Sequence, residues 1–429
     1  MNYQESISYL NFLSLTKIRL GLENTSRILQ HFGNPQEKVE SVHVAGTNGK
    51  GSTCAFVESI LSSSGYKTGL YTSPHLLDFR ERIRIGKKMI SKERFAELAT
   101  SVRRAIEFLR VPATYFEFGT IMAFIYFWEE GVDWSVIEVG LGGRLDATNL
   151  CNSRISIITS ISLDHEKYLG SDLRQIAYEK ASIIREKGMV VADSQVRVVS
   201  DCVQDMADRR GAALLWFGKD FNVERTLVGS KAHYIDFTNM EVQLLKVFIP
   251  LIGSYQIHNA GLAVAACLSL DPEAGQVTNS SIRKGLEIVE WPGRMELVES
   301  SPIILLDGAH NVDSAKKLTE SLREDFDYER CLMIIAIFED KAVEKIADIL
   351  SEVADLFILS GLESQRSINL DLLSGIFEKY DKPIETIDEI PYAISLAKKM
   401  ADPGDLICIT GSLLTVAEAK RFFSDDSLC

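Results

Sequence analysis

Two kinds of hydrophobic pattern alternate along most of this chain. Short runs of β-branched and apolar residues predict buried strands, and amphipathic stretches such as residues 94–109 predict the helices between them. In the first half of the chain the predicted strands are residues 41–45, 67–71, 134–139, 155–160 and 189–192. This alternation is typical of an α/β fold with a parallel sheet.

The pattern changes at two places. Residues 222–250 alternate polar and apolar side chains, which predicts a small antiparallel sheet inserted at the edge of the first domain. After residues 291–293 the strand–helix alternation resumes, with predicted strands at residues 303–306, 332–337, 356–359, 384–387 and 406–410. We therefore predict two domains, a larger one over residues 1–296 and a smaller Rossmann-like α/β domain over residues 297–429.

Composition and charge exclude several classes of protein. The 429 residues are 46% hydrophobic and 25% charged, which suits folded domains rather than disorder. The net charge of −14, without any block rich in Lys or Arg, argues against a nucleic-acid partner. The seven cysteines are scattered without metal-ligand spacing, so we expect reduced thiols. We find no signal-peptide pattern and no long apolar run, so we expect no membrane partner and a cytoplasmic location.

The segment from His43 to Thr53 joins a predicted strand to a predicted helix and carries three glycines around Lys50. Glycines let backbone N–H groups approach an anion, the helix N-terminus adds partial positive charge, and Lys50 adds a full charge. We therefore predict a phosphate-binding loop and a nucleotide ligand. The spacing departs from the usual motif, because Val44 stands where a glycine is expected and Gly51 follows the lysine. A solvent-facing glycine turn capped by Ser52 is the alternative interpretation.

A hydroxyl, a carboxylate and an imidazole each follow a predicted strand, in Ser73, Glu138 and His165. Ligands of open parallel sheets bind at the carboxyl ends of the strands, so we expect these groups to face the glycine loop and to bind one or two Mg²⁺ ions. Each residue also has an ordinary structural interpretation. Ser73 precedes a proline, as turn residues do, and Glu138 has Arg144 as a candidate ion-pair partner. His165 is a candidate helix cap or packed histidine.

Five segments of the chain, in this order, closely resemble the folylpolyglutamate synthase family, whose members are often bifunctional with dihydrofolate synthase and belong to the Mur-type ATP-dependent ligases. The segments are residues 46–52, 71–76, 138–149, 164–165 and 306–311. Residues 138–149 are the most specific, because the wider superfamily shares the glycine loop. The resemblance implies a two-domain Mur-ligase-like fold, in which a P-loop ATPase domain precedes a C-terminal domain that contributes to ATP and glutamate binding.

The resemblance also implies the chemistry. Such a ligase phosphorylates a substrate carboxylate with ATP, and the amino group of L-glutamate then attacks the acyl phosphate. The implied cofactors are ATP, Mg²⁺ at two sites and a carbamate on Lys180, with K⁺ as a further candidate. Ser73 and Glu138 would bind one Mg²⁺, and His165 would bind the second. Sequence physics alone would place Lys180 on a solvated helix face.

The site residues that the resemblance implies form three groups. The catalytic residues are Lys50, Lys180, His165 and His310, and the nucleotide contacts are Thr47, Asn48, Gly49, Lys50, Gly51, Ser52, Asn259, Arg294 and Asp307. The substrate contacts are Thr114, Tyr115, Phe116, Glu117, Leu145, Asp146 and Ala147 for the pterin, with Ser412 for the incoming glutamate. Ordinary roles at helix starts remain the alternative for Asn259 and His310, and core packing remains the alternative for Tyr115 and Phe116.

Two other functions stay open at this point. One is a Mur-type ligase that acts on a UDP-linked cell-wall precursor, which residues 140–149 disfavour. The other is a nucleotide-gated regulator without catalysis, which the presence of Lys50, Ser73, Glu138 and His165 disfavours. For the synthase we expect reduced folate, L-glutamate and ATP as the small-molecule partners, and a monomeric protein. The sequence leaves undecided whether dihydropteroate is also an acceptor.

Overall fold

The computed structural model describes residues 1–14, 19–229, 232–270, 275–364 and 366–426. The chain forms two units. Unit 1 comprises Met1–Glu224, Asp236–Val247 and His258–Val289, and unit 2 comprises Arg225–Ile235, Phe248–Ile257 and Glu290–Cys429. The domain boundary expected between residues 296 and 297 stays a prediction.

The secondary structure follows the predicted alternation over most of the described chain. The α-helices are α1 (Tyr3–Ser14), α2 (Glu23–His31), α3 (Lys50–Ser63), α4 (Lys92–Leu109), α5 (Tyr115–Glu129), α6 (Glu166–Leu169), α7 (Leu173–Ala181), α8 (Arg197–Arg210), α9 (Ser254–Leu270), α10 (Asn279–Glu287), α11 (Val312–Asp325), α12 (Val343–Leu350), α13 (Leu370–Phe377), α14 (Ile390–Met400) and α15 (Leu413–Asp426). The strands are β1 (Glu40–Ala45), β2 (Thr68–Tyr71), β3 (Ile83–Ile85), β4 (Lys88–Met89), β5 (Trp134–Glu138), β6 (Asn152–Ile158), β7 (Met189–Ala192), β8 (Ala213–Trp216), β9 (Phe221–Gly229), β10 (Ala232–Asn239), β11 (Gln243–Ile249), β12 (Glu296–Ser300), β13 (Ile303–Leu306), β14 (Cys331–Ile335), β15 (Leu356–Ser360), β16 (Ile384–Ile387) and β17 (Leu406–Thr410).

The largest sheet has eight strands in the order β4-β3-β2-β5-β1-β6-β7-β8. The six strands from β2 to β8 in that order run parallel, and β3 and β4 add an antiparallel edge. This arrangement confirms the predicted parallel α/β fold. Because neighbouring parallel strands end at the same edge, the segments that follow β2, β5, β1 and β6 lie side by side. Those four segments hold the predicted chemistry.

Helix α5 shows how the core supports this edge. Its residues from Glu117 to Phe127 are all buried, and they include Phe118, Ile121 and Phe127. Each such large apolar side chain contributes about 1.5–3 kcal/mol when it is fully buried, so the helix is fixed firmly under the sheet. The first turn of α5, which contains Tyr115 and Phe116, is therefore held in a fixed position.

The second parallel sheet lies in unit 2, with six strands in the order β12-β13-β17-β14-β15-β16. Strand β12 is antiparallel to β13, and the remaining pairs are parallel. This is the Rossmann-like alternation that the sequence predicts. The segment predicted as an insertion forms a separate three-stranded sheet in the order β11-β10-β9, whose strands are divided between the two units.

Two further observations concern predictions from composition. In the described chain, no helix combines the length and the apolar character that crossing a membrane requires. Six of the seven cysteines are free and buried, and Cys429 lies outside the described residues. Reduced thiols are therefore what the described residues show.

Candidate active site

The glycine loop between β1 and α3 depends on two of its glycines. Gly46 has φ +157°, and a Cβ atom there would lie 1.8 Å from the hydroxyl oxygen of Thr159. Gly49 has φ +84°, and a Cβ atom there would lie 2.4 Å from Oδ1 of Asn259. Because both positions combine a positive φ with a close neighbour, no other residue fits them without a shift of the surroundings. The buried side chain of Asn259 thus lies directly over the loop.

The segment after β6 fixes the shape of this loop. The backbone N–H groups of Thr47 and Asn48 both donate to the carbonyl oxygen of Ser160, over 2.7 Å and 3.4 Å. In return, the hydroxyl group of Thr159 donates to the carbonyl oxygen of Asn48 over 2.7 Å. Helix α3 begins after Gly49 without a side-chain cap, so the predicted alternative in which Ser52 caps a turn is wrong. The N–H groups of its first turn have no intrahelical acceptor and are the donors that an anion would meet.

Two lysines converge on this loop. Nζ of Lys50 donates to the carbonyl oxygens of Gly46 and Thr47 over 3.2 Å and 3.0 Å, and Nζ of Lys180 donates to the carbonyl oxygen of Gly46 over 2.7 Å. Lys180 is only 5% exposed. Among the described residues neither lysine has a carboxylate within ion-pair distance. Both amines therefore bind only backbone carbonyl oxygens of the loop among the described residues.

Burial of its amine and, to a lesser extent, the positive charge of Lys50 lower the pKa of Lys180 to about 7. The carboxylates of Asp164 and Asp146 act in the opposite direction. The sequence alone would place this lysine on a solvated face, but helix α7 turns it into the protein. Near neutral pH a large share of its amino groups is therefore uncharged and nucleophilic.

The carboxylate of Glu138 lies at the end of β5, where its backbone pairs with Val44 of β1. It is buried, and its Oε2 accepts the backbone N–H of Ser73 over 2.8 Å. Arg144, the ion-pair partner that the sequence suggested, instead binds Glu179 over 2.9 Å. The structure therefore brings Ser73 and Glu138 together and separates Arg144 from their interaction.

His165 differs from Ser73 and Glu138 in its exposure to solvent. It is exposed, has φ +53° and precedes α6 without capping it through its side chain. Its backbone N–H donates to the carboxylate of Asp164 over 2.8 Å. Within the described ranges, no group of three or more His, Cys, Asp or Glu side chains is arranged to hold a metal ion.

The glycine run after β5 is packed closely. A Cβ atom on Gly140 would lie 2.4 Å from the ring of Phe116, and one on Gly143 would lie 2.6 Å from the carbonyl oxygen of Glu179. The buried carboxylate of Asp146 accepts the N–H groups of Leu141 and Thr148 over 2.8 Å and 3.0 Å. Burial raises the pKa of Asp146, and these hydrogen bonds oppose the rise. In the structure the carboxylate of Asp146, which lies between Leu145 and Ala147 in the sequence, therefore binds backbone groups of the protein itself.

The predicted folate contacts include a helix cap. The hydroxyl oxygen of Thr114 accepts the backbone N–H of Glu117 over 3.3 Å, and the backbone N–H of Thr114 donates to the carboxylate of Glu117 over 2.7 Å. This reciprocal pair is a capping box, and it starts α5. The ring of Tyr115 meets Phe79 edge to face at 5.5 Å. Sequence reasoning missed a neighbour of these rings, Arg82, because nothing in a local pattern separates it from the other charged residues around it.

In unit 2 the predicted residues gather at the end of β13. The buried carboxylate of Asp307 accepts the N–H groups of Met295 and Ala309, both over 2.9 Å. Burial raises the pKa of Asp307, and the charge of Arg294 opposes the rise. Nδ1 of His310 is 2.8 Å from the carbonyl oxygen of Gly308.

Ser412 has a structural role in the same unit. It is 2% exposed, and its hydroxyl oxygen accepts the N–H of Thr415 over 3.0 Å in the first turn of α15. It also lies 2.8 Å from the hydroxyl oxygen of Thr415. Its expected contact with glutamate stays a prediction.

Comparison with known proteins decides the family. Residues 44–267 match the model of the Mur ligase middle domain, and residues 293–413 match that of the Mur ligase glutamate ligase domain. The chain is 30% identical to the dihydrofolate synthase/folylpolyglutamate synthase of Bacillus subtilis, over 98% of both chains. This chain belongs to the folylpolyglutamate synthase family. The family consists of ATP-dependent ligases, as the residues around Gly46 lead one to expect.

Other relatives agree with this membership. The chain is 34% identical to the Escherichia coli dihydrofolate synthase/folylpolyglutamate synthase, over 97% of this chain and 94% of the relative. It is also 34% identical to a probable bifunctional folylpolyglutamate synthase/dihydropteroate synthase of Haloferax volcanii, of which it spans only about half the length, 50%.

Solved structures show the same fold. The Mycobacterium tuberculosis folylpolyglutamate synthase complexed with ADP superimposes with a TM-score of 0.92 at 30% identity, over 98% of this chain and 99% of that chain. The Escherichia coli FolC protein in complex with DHPP and ADP superimposes with a TM-score of 0.91 at 31% identity, over 100% of this chain and 99% of that chain.

Proposed function

We propose that this chain is an ADP-forming ligase that joins L-glutamate to the glutamate side-chain carboxylate of a reduced folate. The observation that supports it best is the positive charge of Lys50, which binds backbone carbonyl oxygens of the loop and has no carboxylate partner among the described residues, at the N-terminus of α3. Such a site suits the β- and γ-phosphates of ATP. The Mycobacterium tuberculosis and Escherichia coli relatives have the same fold and were solved in complex with ADP.

The reaction has two steps. A carboxylate oxygen of the folate forms a bond to the γ-phosphorus, the bond to the β-phosphate oxygen breaks, and an acyl phosphate and ADP result. The amino nitrogen of L-glutamate then attacks the acyl carbon, phosphate leaves, and the nitrogen loses a proton to give the amide. Lys50 and the first turn of α3 offset the charge on the transferring phosphoryl group and fix its position.

The oxygen donors near the loop fit Mg²⁺. Mg²⁺ in phosphoryl-transfer sites takes one or two carboxylates and completes its shell with phosphate oxygens and water. The buried carboxylate of Glu138 and the adjacent Ser73 match that description, and we assign the first ion to them. We assign the second ion to His165. When bound, Mg²⁺ neutralises phosphate charge, and the residues of this chain hold the phosphates and the folate in line.

Lys180 is proposed to carry a carbamate. Its neutral amine adds to CO₂ with release of a proton, and the product is an anion beside Lys50. The lowered pKa of Lys180 supports this proposal, because only the uncharged amine reacts with CO₂. The carbamate would place a negative charge beside the positive charge of Lys50. K⁺ as a further cofactor stays a prediction.

The remaining predicted contacts keep their proposed roles. Asn259 lies over Gly49 and is proposed to contact the nucleotide, together with Thr47, Asn48, Gly51 and Ser52. Arg294, Asp307 and His310 of unit 2 stay predicted nucleotide or phosphate contacts. For the folate, Tyr115 and Phe116 stay predicted contacts, together with Thr114, Glu117, Leu145, Asp146 and Ala147. Thr114, Glu117 and Asp146 also have partners within the protein. The monomeric state and the cytoplasmic location also stay predictions.

The test is ADP release with ATP, Mg²⁺ and L-glutamate, with tetrahydrofolate or dihydropteroate as the acceptor and products identified by mass. Glutamate addition to tetrahydrofolate supports the proposal, and addition to both acceptors adds dihydrofolate synthase activity. Turnover of a UDP-linked acceptor alone, or of none, would overturn it.

Two variants connect this test to the site. Lys50→Met should abolish turnover because it removes the positive charge at the loop, whereas Lys67→Met removes an exposed lysine that pairs with Glu130 and should leave turnover unchanged. Normal turnover in Lys50→Met would refute the proposed phosphate site.

A further inference from the structure

Arg82 lies at the same edge of the large sheet as Ser73. Its carbonyl oxygen accepts the backbone N–H of Thr72 over 3.1 Å, so its position is tied to the residue before Ser73. The side chain is nearly buried, with 7% exposure. The guanidinium carbon lies 5.1 Å from the centroid of the Phe79 ring and 5.2 Å from that of Tyr115. These two rings fix the plane of the guanidinium group.

The charge of Arg82 has no anionic partner in the described part of the chain. Its Nε donates to Nδ1 of His75 over 2.8 Å, and no further hydrogen bond or ion pair to a described residue involves the guanidinium group. Its two Nη nitrogens have no hydrogen-bond partner among the described residues. Neither nitrogen is fully buried, so both reach the surface. Arg80, two residues earlier, instead binds Asp78 through Nε at 3.1 Å and Nη2 at 2.7 Å.

His75 is the only hydrogen-bond partner of the Arg82 side chain in the described chain, and it is neutral. Nδ1 accepts a hydrogen bond from Arg82, so it carries no proton. A nearly buried cation beside a neutral partner is costly unless an anion completes its surroundings.

We propose that Arg82 is a substrate-binding residue that pairs with a carboxylate of the folate acceptor, and that His75 is a positioning residue that orients it. The inference rests on the proposed function and deepens it. The two free Nη groups match the paired oxygens of a carboxylate. The neighbouring rings of Tyr115 and Phe79 suit the flat rings of the same molecule. The proposed function assigns the phosphates of ATP to the loop at Gly46.

Two carboxylates of a folate are candidates, and the test separates them. A reduced folate monoglutamate carries one reacting and one non-reacting carboxylate, whereas dihydropteroate carries only the reacting one. If Arg82 binds the non-reacting group, Arg82→Gln weakens binding of the monoglutamate and leaves binding of dihydropteroate unchanged. If Arg82 binds the reacting group, both ligands lose affinity. Either result supports the inference.

Binding is measured directly by titration calorimetry in the full chain with a non-hydrolysable ATP analogue, and steady-state kinetics follow. We expect Arg82→Gln to weaken folate binding about 30- to 100-fold, because a bidentate charged pair is lost. Arg82→Lys keeps the positive charge but lacks the paired N–H groups of the guanidinium, so we expect folate affinity to fall about tenfold. The KM for folate should rise in both variants while the KM for ATP stays constant. Arg80→Gln is the matched control, since it removes an arginine that already has a carboxylate partner.

The His75 variants test positioning. His75→Leu should raise the KM for folate about fivefold to tenfold, and His75→Asn, which offers an oxygen near the place of Nδ1, should restore it. Thermal unfolding of every variant identifies misfolding, and Arg82→Lys supplies the result if Arg82→Gln does not fold. Unchanged folate affinity in folded Arg82 variants would overturn the inference. Absence of folate binding to the unmodified protein would instead overturn the proposed function.

Discussion

Replacing Lys180 with methionine should change how the stability of the protein responds to alkaline pH. The pKa of Lys180 is about 7 in the folded protein against an ordinary value of 10.5. The difference of about 3.5 units corresponds to about 5 kcal/mol of unfolding free energy, at about 1.4 kcal/mol per unit. It reflects the cost of burying this cation beside Lys50.

The direction of the effect follows from proton binding. Below pH 7 the lysine is protonated in both states and contributes no pH dependence. Between pH 7 and 10.5 the unfolded chain binds a proton that the folded chain does not, so the unfolding free energy of the unmodified protein rises with pH. The Lys180→Met variant lacks this rise. At pH 7 the Lys180→Met variant should be the more stable protein. Its gain of about 5 kcal/mol in unfolding free energy is reduced by about 1–3 kcal/mol, because the hydrogen bond to Gly46 is lost.

The assay is urea unfolding between pH 7 and 9.5 in CO₂-free buffers. Over this window the unmodified protein should gain about 3 kcal/mol relative to Lys180→Met. Lys219→Met, which removes an exposed lysine, is the matched control and should show no such change. A constant difference between the unmodified protein and Lys180→Met would refute the reasoning, because it would mean that the Lys180 amine is not desolvated.

The same pKa sets the reactivity with CO₂. At pH 8 a pKa of about 7 leaves about nine-tenths of the Lys180 amine uncharged, compared with about 0.3% for an ordinary lysine. The amine is therefore about 300 times more available to CO₂. With ¹³C-labelled bicarbonate, one carbamate resonance should appear in the unmodified protein and be missing from Lys180→Met. Its absence from both would refute the carbamate and leave the unfolding experiment unaffected.

Three further predictions concern the surroundings of the loop. Gly46→Ala should lower the unfolding free energy by about 2 kcal/mol or more and abolish ADP release, because its Cβ would collide with the Thr159 hydroxyl group; thermal unfolding and the ligase assay check this. Glu138→Gln keeps an acceptor for the N–H of Ser73 but removes the charge, so turnover should fall at least about 100-fold while the melting temperature changes little. His75 has a pKa of about 4 against 6.5, so stability should fall by about 3 kcal/mol as the pH drops from 6.5 to 4, and His75→Asn should lose this dependence in urea unfolding.

The sheets were predictable from the sequence because their strands are buried on both faces. Strands such as β13, with four apolar residues in succession, carry a continuous signal that needs no knowledge of their partners. Strands β3 and β4 were missed for the opposite reason. They are three and two residues long, carry Arg84 and Lys88, and lie at the sheet edge, where hydrophobic burial is incomplete.

The candidate site was less predictable, because its geometry depends on residues far apart in sequence. The approach of Gly46 to Thr159 and the stacking of Arg82 on Tyr115 follow from strand order, which no local pattern encodes. The capping box of Thr114 and Glu117 is a different case. Its spacing is readable from the sequence as a helix start, so the structural interpretation of these two residues needs no ligand.

The charge distribution shows why the functional cations need the fold to become recognisable. The whole chain carries a net charge of −14, which repels anionic substrates at long range. Recognition must therefore come from single charges held where water and counter-ions are scarce. Lys50 binds backbone carbonyl oxygens of the loop, and Arg82 faces a neutral imidazole. At physiological salt the screening length is about 8 Å, so salt weakens the long-range repulsion but weakens buried pairs much less. Moderate salt should therefore speed substrate association while bound substrates stay in place.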